Sequence, residues 1–379
     1  PAPTSPPCCR CAPDPPGPSR PAPAAPGAAQ TRPSRPGPRR CAPDPPYRGR
    51  VIRIATIGTS VITETFADAV AAAEVGEGIA ITAVTSRDAA KARAFADRIG
   101  LTTATATDDL DALLRSGAVD AVYIASPNGA HAAQARTAIA AGVHVFVEKP
   151  ATTASAEWDE LVAAARAAGV VVFEGMRNVY DPGFAAVRDV LPELGTLRRA
   201  SFSYCQRSAR YDRVLAGETP AIFDPALGGG ALWDLGVYPI SAMVALFGEP
   251  DAVAAVSPRI ATGVEGAGTA LLAYPGAAGD GMIGEVTYSK ITRSDVPSEI
   301  QGELGTLEID HIAQPRHLVL TTIDGARREI PIDAAANNMR YEVERFAALV
   351  AGADPAADQA RTAGVLRVIE RIRADGILV

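Results

Sequence analysis

The chain has 379 residues, of which 47% are hydrophobic and 21% charged, with a formal net charge of −7. This length predicts about two to three domains with ample core, and the acidic balance argues against nucleic acid or an anionic membrane as a partner. No apolar run approaches the roughly 20 residues that span a bilayer, and the chain does not open with a secretory signal.

Residues 1–50 form a low-complexity tail. It holds 17 of the 31 prolines and eight Arg against two Asp, a charge of +6 that leaves −13 for the rest. Such a segment buries too little apolar surface to offset the entropy of ordering it, so we predict disorder. Four of the five cysteines lie here, but no second ligand cluster completes a metal set, and we expect no metal site. The lone Cys205 elsewhere is typical of a reducing compartment, the cytoplasm.

From Val51 onward, short apolar runs alternate with helical periodicity. The runs predict strands at 51–57, 79–84, 119–124, 143–147 and 170–173. The helical stretches are 61–75, 88–99, 108–116, 131–141 and 157–168. This alternation is typical of right-handed βαβ crossovers and a doubly wound parallel sheet, so the fold class is α/β with a first domain at 51–174.

After residue 175 the alternation stops. One further helix is predicted at 182–191, and two helices at about 337–351 and 358–374 close the chain. Between them lie strand candidates at 197–206, 252–257, 268–274, 282–290, 299–309, 317–322 and, more weakly, 327–332. Successive strands after a βαβ series predict a second, α+β domain at 175–379 with a large, mostly antiparallel sheet.

The strand at 143–147 ends in Glu148-Lys149-Pro150. Ligands of an open α/β sheet bind outside the carboxyl ends of its parallel strands, so Lys149 would stand where a cofactor and a substrate meet. Only three of the 36 basic residues are lysines, Lys91, Lys149 and Lys290, and a desolvated Lys, unlike Arg, can release its proton. A solvated Lys before a turn proline is equally compatible with this tripeptide.

The turn after the first strand occupies the place of a Gly-x-Gly-x-x-Gly loop. Gly58 would make the tight turn, and Ser60 is small enough for its backbone to approach a pyrophosphate at the helix N-terminus. Thr63 stands where that loop has its third Gly. The residues assigned here to cofactor binding are Gly58, Thr59, Ser60, Val61 and Ile62. An ordinary βα loop is the alternative.

The second strand ends in Thr85-Ser86-Arg87. NAD sites place an acid here for the ribose 2′-hydroxyl, whereas a hydroxyl and a guanidinium suit a 2′-phosphate. We therefore predict that Ser86 and Arg87 make the protein prefer NADP(H) over NAD(H), and that Asp88 caps the following helix. The remaining predicted cofactor contacts are Ser126, Pro127, Asn128, His131, Glu148 and Lys149. For His131, in the first turn of a helix, a structural role is the alternative.

Gly228-Gly229-Gly230 precedes an apolar, helix-compatible stretch that carries Asp234 and Tyr238 at i and i+4, on one face. A carboxylate and a phenol in such surroundings are costly unless they are used or paired, so both are candidate catalytic residues with Lys149. The alternative is a glycine-rich helix entry in which Asp234 accepts backbone N–H groups. Further candidates for a substrate pocket, for which packing or exposure is the commoner role, are Arg177, Tyr180, Arg210 and Tyr211.

The order of these motifs resembles the Gfo/Idh/MocA oxidoreductases, in particular the branch with glucose–fructose oxidoreductase and dimeric dihydrodiol dehydrogenase. The resemblance covers about 51–379 and implies an N-terminal Rossmann domain and a C-terminal domain whose open sheet commonly forms the dimer contact. A homodimer or homotetramer is therefore expected. It also implies that the Lys149–Pro150 bond is cis, and Ser60 and Thr63 depart from the family's phosphate loop.

By the same resemblance, Lys149 matches the family's lysine that binds the substrate oxygen, Asp234 its acid, and Tyr238 the position held by His in many members and Tyr in this branch. The implied activity is NADP(H)-dependent hydride transfer to or from a secondary alcohol or ketone carbon of a sugar, cyclitol or dihydrodiol-like substrate. Two alternatives stay open: an NAD-dependent glycoside hydrolase on the same fold, and a cofactor-binding sensor without turnover.

Overall fold

The computed structural model describes residues 50–73, 78–276 and 280–378. Residues 1–49 of the predicted tail, with its four cysteines, lie outside the described residues, as do residues 74–75 at the end of the predicted first helix. The described part of the chain contains a six-stranded sheet and a nine-stranded sheet with helices packed on them.

The six-stranded sheet is parallel throughout, with the doubly wound order β3-β2-β1-β4-β5-β6. Its strands are β1 (Ile52–Ile57), β2 (Ile79–Thr85), β3 (Thr105–Thr107), β4 (Ala121–Ile124), β5 (His144–Glu148) and β6 (Val172–Gly175). Its helices are α1 (Val61–Ala72), α2 (Ala89–Arg98), α3 (Leu110–Arg115), α4 (His131–Ala140) and α5 (Ser155–Ala168). The sequence does not predict the edge strand β3, because its three residues form no apolar run.

The nine-stranded sheet has the order β14-β13-β12-β11-β7-β10-β9-β8-β15. Its strands are β7 (Leu197–Cys205), β8 (Ala252–Ser257), β9 (Ala267–Tyr274), β10 (Met282–Ser289), β11 (Ser298–Gly302), β12 (Gly305–Ile309), β13 (Leu318–Thr322), β14 (Arg327–Ile330) and β15 (Ile377–Leu378). The helices of this half are α6 (Pro182–Val190), α7 (Tyr211–Leu215), α8 (Val237–Phe247), α9 (Met339–Val350) and α10 (Ala356–Asp375). Most neighbours are antiparallel; β7 with β10 and β8 with β15 are parallel.

Two predictions for this half are wrong. The single strand predicted at 299–309 is a hairpin, in which Ile300 of β11 faces Leu307 of β12. The apolar positions shift from even to odd numbers between Ile300 and Leu307, and Gly302 and Gly305 flank the turn, two signals that the single-strand prediction overlooked. The closing helices are also followed by a further strand, β15, which pairs with β8.

An aromatic cluster joins the last quarter of the chain to the six-stranded sheet. Phe66 of α1 stacks on Tyr123 of β4 with ring centroids 3.6 Å apart, and Phe146 of β5 meets both rings edge-on. Phe346 of α9 completes the cluster against Phe146 and Phe173. This contact places α9 behind β5, the strand that Lys149 follows. The domain boundary at 174/175 stays a prediction.

Within the described residues, one segment, Pro225–Phe247, is long and apolar enough by composition to cross a membrane, contrary to the expectation that no run approaches that length. Of its most apolar window, 72% is buried inside the protein, where α8 packs against β10 and α10. It is therefore a core segment of this fold.

Candidate functional site

The amine of Lys149 and the carboxylate of Asp234 meet at the carboxyl edge of the six-stranded sheet. Lys149 follows β5 directly, and its peptide bond to Pro150 is cis, as expected. Asp234 lies in a π-helical turn, Leu232–Gly236, that leads into α8. The Lys149 Nζ donates to Asp234 Oδ1 at 2.9 Å and to the Asp234 carbonyl oxygen at 2.9 Å.

A second lysine reaches the same carboxylate. Lys290, the residue after β10, donates from its Nζ to Asp234 Oδ2. The side chains are 12% exposed for Lys149, 26% for Asp234 and 4% for Lys290, so the two ammonium groups are largely shielded from water while the carboxylate reaches the cavity. One carboxylate is therefore the counter-ion of two buried ammonium groups.

The charged groups of this cluster shift one another's pKa values. Burial alone would raise the pKa of Asp234, but Lys149 and Lys290 bring it well below its ordinary value. Burial works against the charge of Lys149, yet Asp234 raises its pKa. For Lys290 burial prevails and, together with the charges of Lys149 and Arg210, lowers its pKa despite Asp234. At neutral pH the cluster holds an ionised carboxylate.

Tyr238, at the second position of α8, presents its ring to two cations. The Lys149 Nζ is 5.0 Å from the ring centroid, and the Arg177 Cζ is 5.5 Å from it. The ring of Tyr204 packs edge-on at 5.4 Å, and Asn178 donates to the Tyr238 carbonyl at 3.2 Å. Among the described residues nothing hydrogen-bonds to the Tyr238 hydroxyl, so this group is available to a bound molecule.

These side chains open into one cavity of about 310 Å³. Nine of the predicted site residues line it: Ile62, Ser126, Asn128, His131, Glu148, Lys149, Arg177, Asp234 and Tyr238. Four residues that the sequence did not single out also line it: Ala125, Tyr204, Gln206 and Leu235. The cavity thus combines the carboxyl ends of β4 and β5 with the start of α8 and the end of β7.

A larger cavity of about 790 Å³ lies on the other side of the turn at 228–233. Trp233, Arg259, Glu265 and Arg373 are among its lining residues, but neither Lys149 nor Tyr238 reaches it. The chemistry assigns the site to the smaller cavity, because only there do an amine, a carboxylate and a phenol converge.

His131 lines the cavity and also forms hydrogen bonds to two of the loops that make up its wall. Its Nδ1 lies 2.9 Å from the Pro150 carbonyl oxygen and its Nε2 lies 2.8 Å from that of Ser126. Burial and the charge of Lys149 lower its pKa, although the two carbonyl oxygens oppose this. In this structure His131 therefore links the loop after β4 to the cis-proline turn, and its contact with a cofactor stays a prediction.

The other predicted cofactor residues surround the carboxyl ends of β1, β2 and β4. Gly58, Thr59, Ser60 and Val61 form the turn into α1, and Ser86 and Arg87 follow β2, with Arg87 exposed. Asp88 caps α2 as predicted, accepting from the backbone of Ala90 and Lys91. Pro127 is exposed beside Asn128, whose side chain donates to the Gly228 carbonyl at 2.8 Å.

Three candidates for the substrate pocket lie elsewhere. Tyr180 donates to Asp358 at 2.6 Å, away from the cavity. Arg210 is exposed, and Tyr211 packs on Phe223 with centroids 6.0 Å apart. Of the four residues proposed, only Arg177 lines the cavity.

Comparison with known proteins matches two family profiles to the chain. The profile of an oxidoreductase family with an NAD-binding Rossmann fold, GFO_IDH_MocA, matches residues 52–176, and that of the GFO/IDH/MocA C-terminal domain matches residues 184–308. The chain belongs to the GFO/IDH/MocA oxidoreductase family. The predicted family, fold class and enzyme class are confirmed.

Curated relatives and solved structures cover most of this GFO/IDH/MocA protein. It is 41% identical over 300 residues to scyllo-inositol 2-dehydrogenase (NADP(+)) IolU of Bacillus subtilis, a match spanning 79% of this chain and 88% of the relative. It is 30% identical over 257 residues to trans-1,2-dihydrobenzene-1,2-diol dehydrogenase of Mus musculus, spanning 66% and 72%. The 3-ketoreductase KijD10 of Actinomadura kijaniata, solved with NADP and TDP-benzene, superposes with a TM-score of 0.76 at 25% identity, covering 87% of this chain and 99% of the other.

The edge around β1 fits the dinucleotide that a Rossmann domain of this family holds. Gly58 has φ +117°, and a Cβ there would stand 2.6 Å from the Ala125 carbonyl oxygen, so the loop must pass close to β4. The Ser60 side chain does not cap α1, which leaves the first N–H groups of that helix to an anion. Thr63 is buried at the helix start, where its Oγ1 lies 3.5 Å from Ser60 Oγ.

Sequence reasoning missed Lys290 and Glu342. Lys290 carried the same signal as Lys149, since it is one of three lysines and ends a predicted strand. Glu342 of α9 gave no signal, because its proximity to β5 and β6 exists only in the folded chain. Its carboxylate lies under Gly175, where a Cβ would be 3.5 Å from both oxygens.

Replacing Glu342 with Gln should stabilise this family member at alkaline pH. Burial and the neighbouring Glu148 raise the pKa of Glu342 well above its ordinary value, and Oε2 has no hydrogen-bond partner among the described residues. Between the unfolded and folded pKa values the folded state holds a proton that the unfolded chain lacks, so wild-type stability falls with rising pH by up to ~1.4 kcal/mol per unit.

Urea unfolding at pH 5, 6.5 and 8 measures this difference. Glu342→Gln should be more stable by about 1–3 kcal/mol at pH 8, and the gain should shrink toward pH 5. Glu344→Gln, on the same helix, is the control and should show the wild-type pH slope. Parallel pH slopes for wild type and Glu342→Gln would show that Glu342 ionises normally.

Proposed function

We propose that the protein is an NADP(H)-dependent dehydrogenase that moves a hydride between nicotinamide and a secondary alcohol or ketone carbon of a sugar, cyclitol or dihydrodiol-like molecule. The observation that carries this proposal is the meeting of Lys149, Asp234 and Tyr238 in one cavity at the carboxyl edge of the six-stranded sheet. The relatives named for scyllo-inositol and for a dihydrodiol support a substrate with several hydroxyl groups.

When bound, the nicotinamide supplies the hydride chemistry, and the protein supplies orientation and proton transfer. The Lys149 ammonium has three donors, of which two are used by Asp234, so one is left for the oxygen of the reacting carbon. In oxidation Tyr238, as the phenolate, takes the hydroxyl proton, and the ammonium stabilises the alkoxide that forms before its carbon gives up a hydride to the nicotinamide. In reduction Tyr238 returns that proton. Arg177, on the same ring, holds the phenol in place.

Cofactor contacts would come from three loops at this edge. The turn at 58–62 would hold the pyrophosphate at the N-terminus of α1, and Ser86 with Arg87 would hold the ribose 2′-phosphate. Ser126, Pro127, Asn128, His131 and Glu148 would surround the nicotinamide. Among these, Glu148 is anchored by Tyr123, which donates to it at 2.6 Å.

Arg87→Ala should remove the preference for NADPH over NADH. A charge-assisted hydrogen bond contributes about 1.5–3 kcal/mol, so the KM for NADPH should rise about 10- to 100-fold while the KM for NADH changes less than about threefold. Initial rates with both cofactors give the ratio of the KM for NADH to the KM for NADPH. Arg115→Ala, at the far end of α3, is the matched control. Equal KM values for NADH and NADPH in the wild-type protein would contradict the assignment.

The open face of the nine-stranded sheet is the proposed contact of a homodimer or homotetramer. Val256, Leu271 and Ile283 on the neighbouring strands β8, β9 and β10 are exposed on this face. Such a row of apolar side chains is typical of a protein–protein interface. A reducing compartment, the cytoplasm, suits the free thiol of Cys205.

The activity is tested by following NADPH and NADP+ absorbance against a panel of inositols, aldoses and dihydrodiols. We expect turnover with at least one polyhydroxylated secondary alcohol and its ketone. Cofactor binding without turnover across the panel would indicate a sensor. Release of sugar from a nitrophenyl glycoside without net cofactor change would indicate a glycoside hydrolase.

A further inference from the structure

We propose that Lys290 is a positioning residue of this site: it holds the second carboxylate oxygen of Asp234 and gives the Lys149–Asp234–Lys290 cluster a net charge of +1. The consequence is that Lys149 keeps acting as a cation toward the substrate oxygen although it is ion-paired. The inference rests on the proposed function in assigning that role to Lys149.

The backbone fixes Lys290 where its ammonium reaches Asp234 from the side of the nine-stranded sheet. Its N–H donates to the Gly266 carbonyl at 2.9 Å, and its own carbonyl accepts from Ser208 at 2.8 Å. The ring of Phe223 lies 5.8 Å from the Nζ. Lys290 does not line the cavity that contains Lys149 and Tyr238, so it acts on the substrate only through Asp234.

The arrangement divides the two oxygens of Asp234 between two cations. Oδ1 accepts from Lys149 and Oδ2 accepts from Lys290, which leaves the carboxylate no freedom to rotate. With Lys149 alone, the pair would be neutral, and its field at the neighbouring phenol ring would largely cancel. With Lys290 present, one positive charge remains uncompensated next to the reacting atoms.

Charged and titratable groups face this cluster from several elements. Lys290 faces Asp234, Lys149 and, from the segment before α7, Arg210. Lys149 faces Asp234, Tyr238 and Glu148. It also interacts with His131 of α4, Glu174 of β6 and Glu342 of α9. Arg177 and Tyr204 both contact the Tyr238 ring. A change at Lys290 therefore reaches the phenol through Asp234 and Lys149.

The test compares Lys290→Met with Lys290→Arg, and uses the exposed Lys91→Met as the matched control. Alcohol oxidation needs a deprotonated acceptor, which a nearby cation favours. Removal of the cation should therefore move the rise of kcat/KM with pH by about one pH unit to the alkaline side. We expect Lys290→Met to lower kcat about tenfold or more, with NADPH affinity within about twofold.

Lys290→Arg should return the pH profile to its wild-type position, since it restores the charge. A profile that does not move in Lys290→Met, or that moves equally in both variants, would overturn the proposal and leave Lys290 a packing residue. If Lys290→Met does not fold, Lys290→Arg and the comparison of lysine side-chain signals between wild type and Asp234→Asn decide.

The three lysines also permit a measurement that needs no substrate. Spectra of protein labelled with 15N-lysine contain three side-chain signals, assignable from the Lys91 and Lys290 variants. Asp234→Asn should shift the Nζ signals of Lys149 and Lys290 and leave that of Lys91 in place. An unmoved Lys290 signal would refute the inference whatever the enzyme's substrates, whereas shifted signals in a protein without turnover would refute the proposed function alone.

Discussion

Lys149→Met should lower kcat about 10²- to 10⁴-fold with NADPH binding within about threefold of wild type, because a proton-transfer or oxyanion-stabilising group of this kind contributes that much. The thioether keeps the length of the side chain but offers no donor to the substrate oxygen. The remaining cation, Lys290, still neutralises Asp234, so the variant should fold. Single-turnover and steady-state rates with saturating cofactor measure the loss, and NADPH fluorescence measures binding.

Lys91→Met makes the same chemical change on the exposed face of α2, outside the cavity, and should leave kcat unchanged. A loss confined to KM, with kcat preserved, would mean that Lys149 binds the substrate equally in the ground and transition states. Full turnover in Lys149→Met would remove Lys149 from the mechanism.

The sequence predicts the six-stranded sheet well because its signals are local. The run 143–147 is apolar, is flanked by helical periodicity and ends in a proline, so both β5 and the position of Lys149 follow from neighbouring residues. The Asp88 cap is equally local, since its carboxylate accepts from backbone groups two and three residues on.

What the sequence does not predict depends on long-range contacts or unusual hydrogen bonding. The turn at 232–236 is π-helical, a pattern to which apolar periodicity is insensitive, although Asp234 and Tyr238 still line one cavity. The link from Lys290 to Asp234 joins residues 56 positions apart. No spacing rule connects them, and only the packing of β10 beneath the turn brings them together.

The role of Arg177 shows the same limit. Its side chain reaches Tyr238 because the chain after β6 passes beside α8, and Asn178 then bonds to the Tyr238 backbone. From the sequence alone, Arg177 is only an Arg two residues after a strand. Tyr180, which has the same local setting, instead turns toward Asp358 and α10.

Asp234→Asn should destabilise the protein by about 3 kcal/mol at pH 7, because it leaves two buried ammonium groups without a counter-ion. The pKa of Asp234 is lower in the folded protein than in the unfolded chain. Its contribution to the free energy of unfolding is therefore present above the ordinary carboxyl pKa and is lost as the pH falls toward the folded pKa. Below about pH 4 the difference in stability between wild type and Asp234→Asn should therefore become smaller. Urea unfolding across pH 3 to 8 measures both effects.

The double variant Asp234→Asn/Lys290→Met separates charge from packing. If the loss in Asp234→Asn comes from uncompensated cations, removal of one cation should restore about 1–2 kcal/mol, so the two substitutions should be strongly non-additive. Additive losses would instead mean that each side chain stabilises the fold by contacts of its own. Comparing the free energies of unfolding of the wild type, the two single variants and the double variant thereby tests, without any substrate, whether Asp234 is held in place by two lysines.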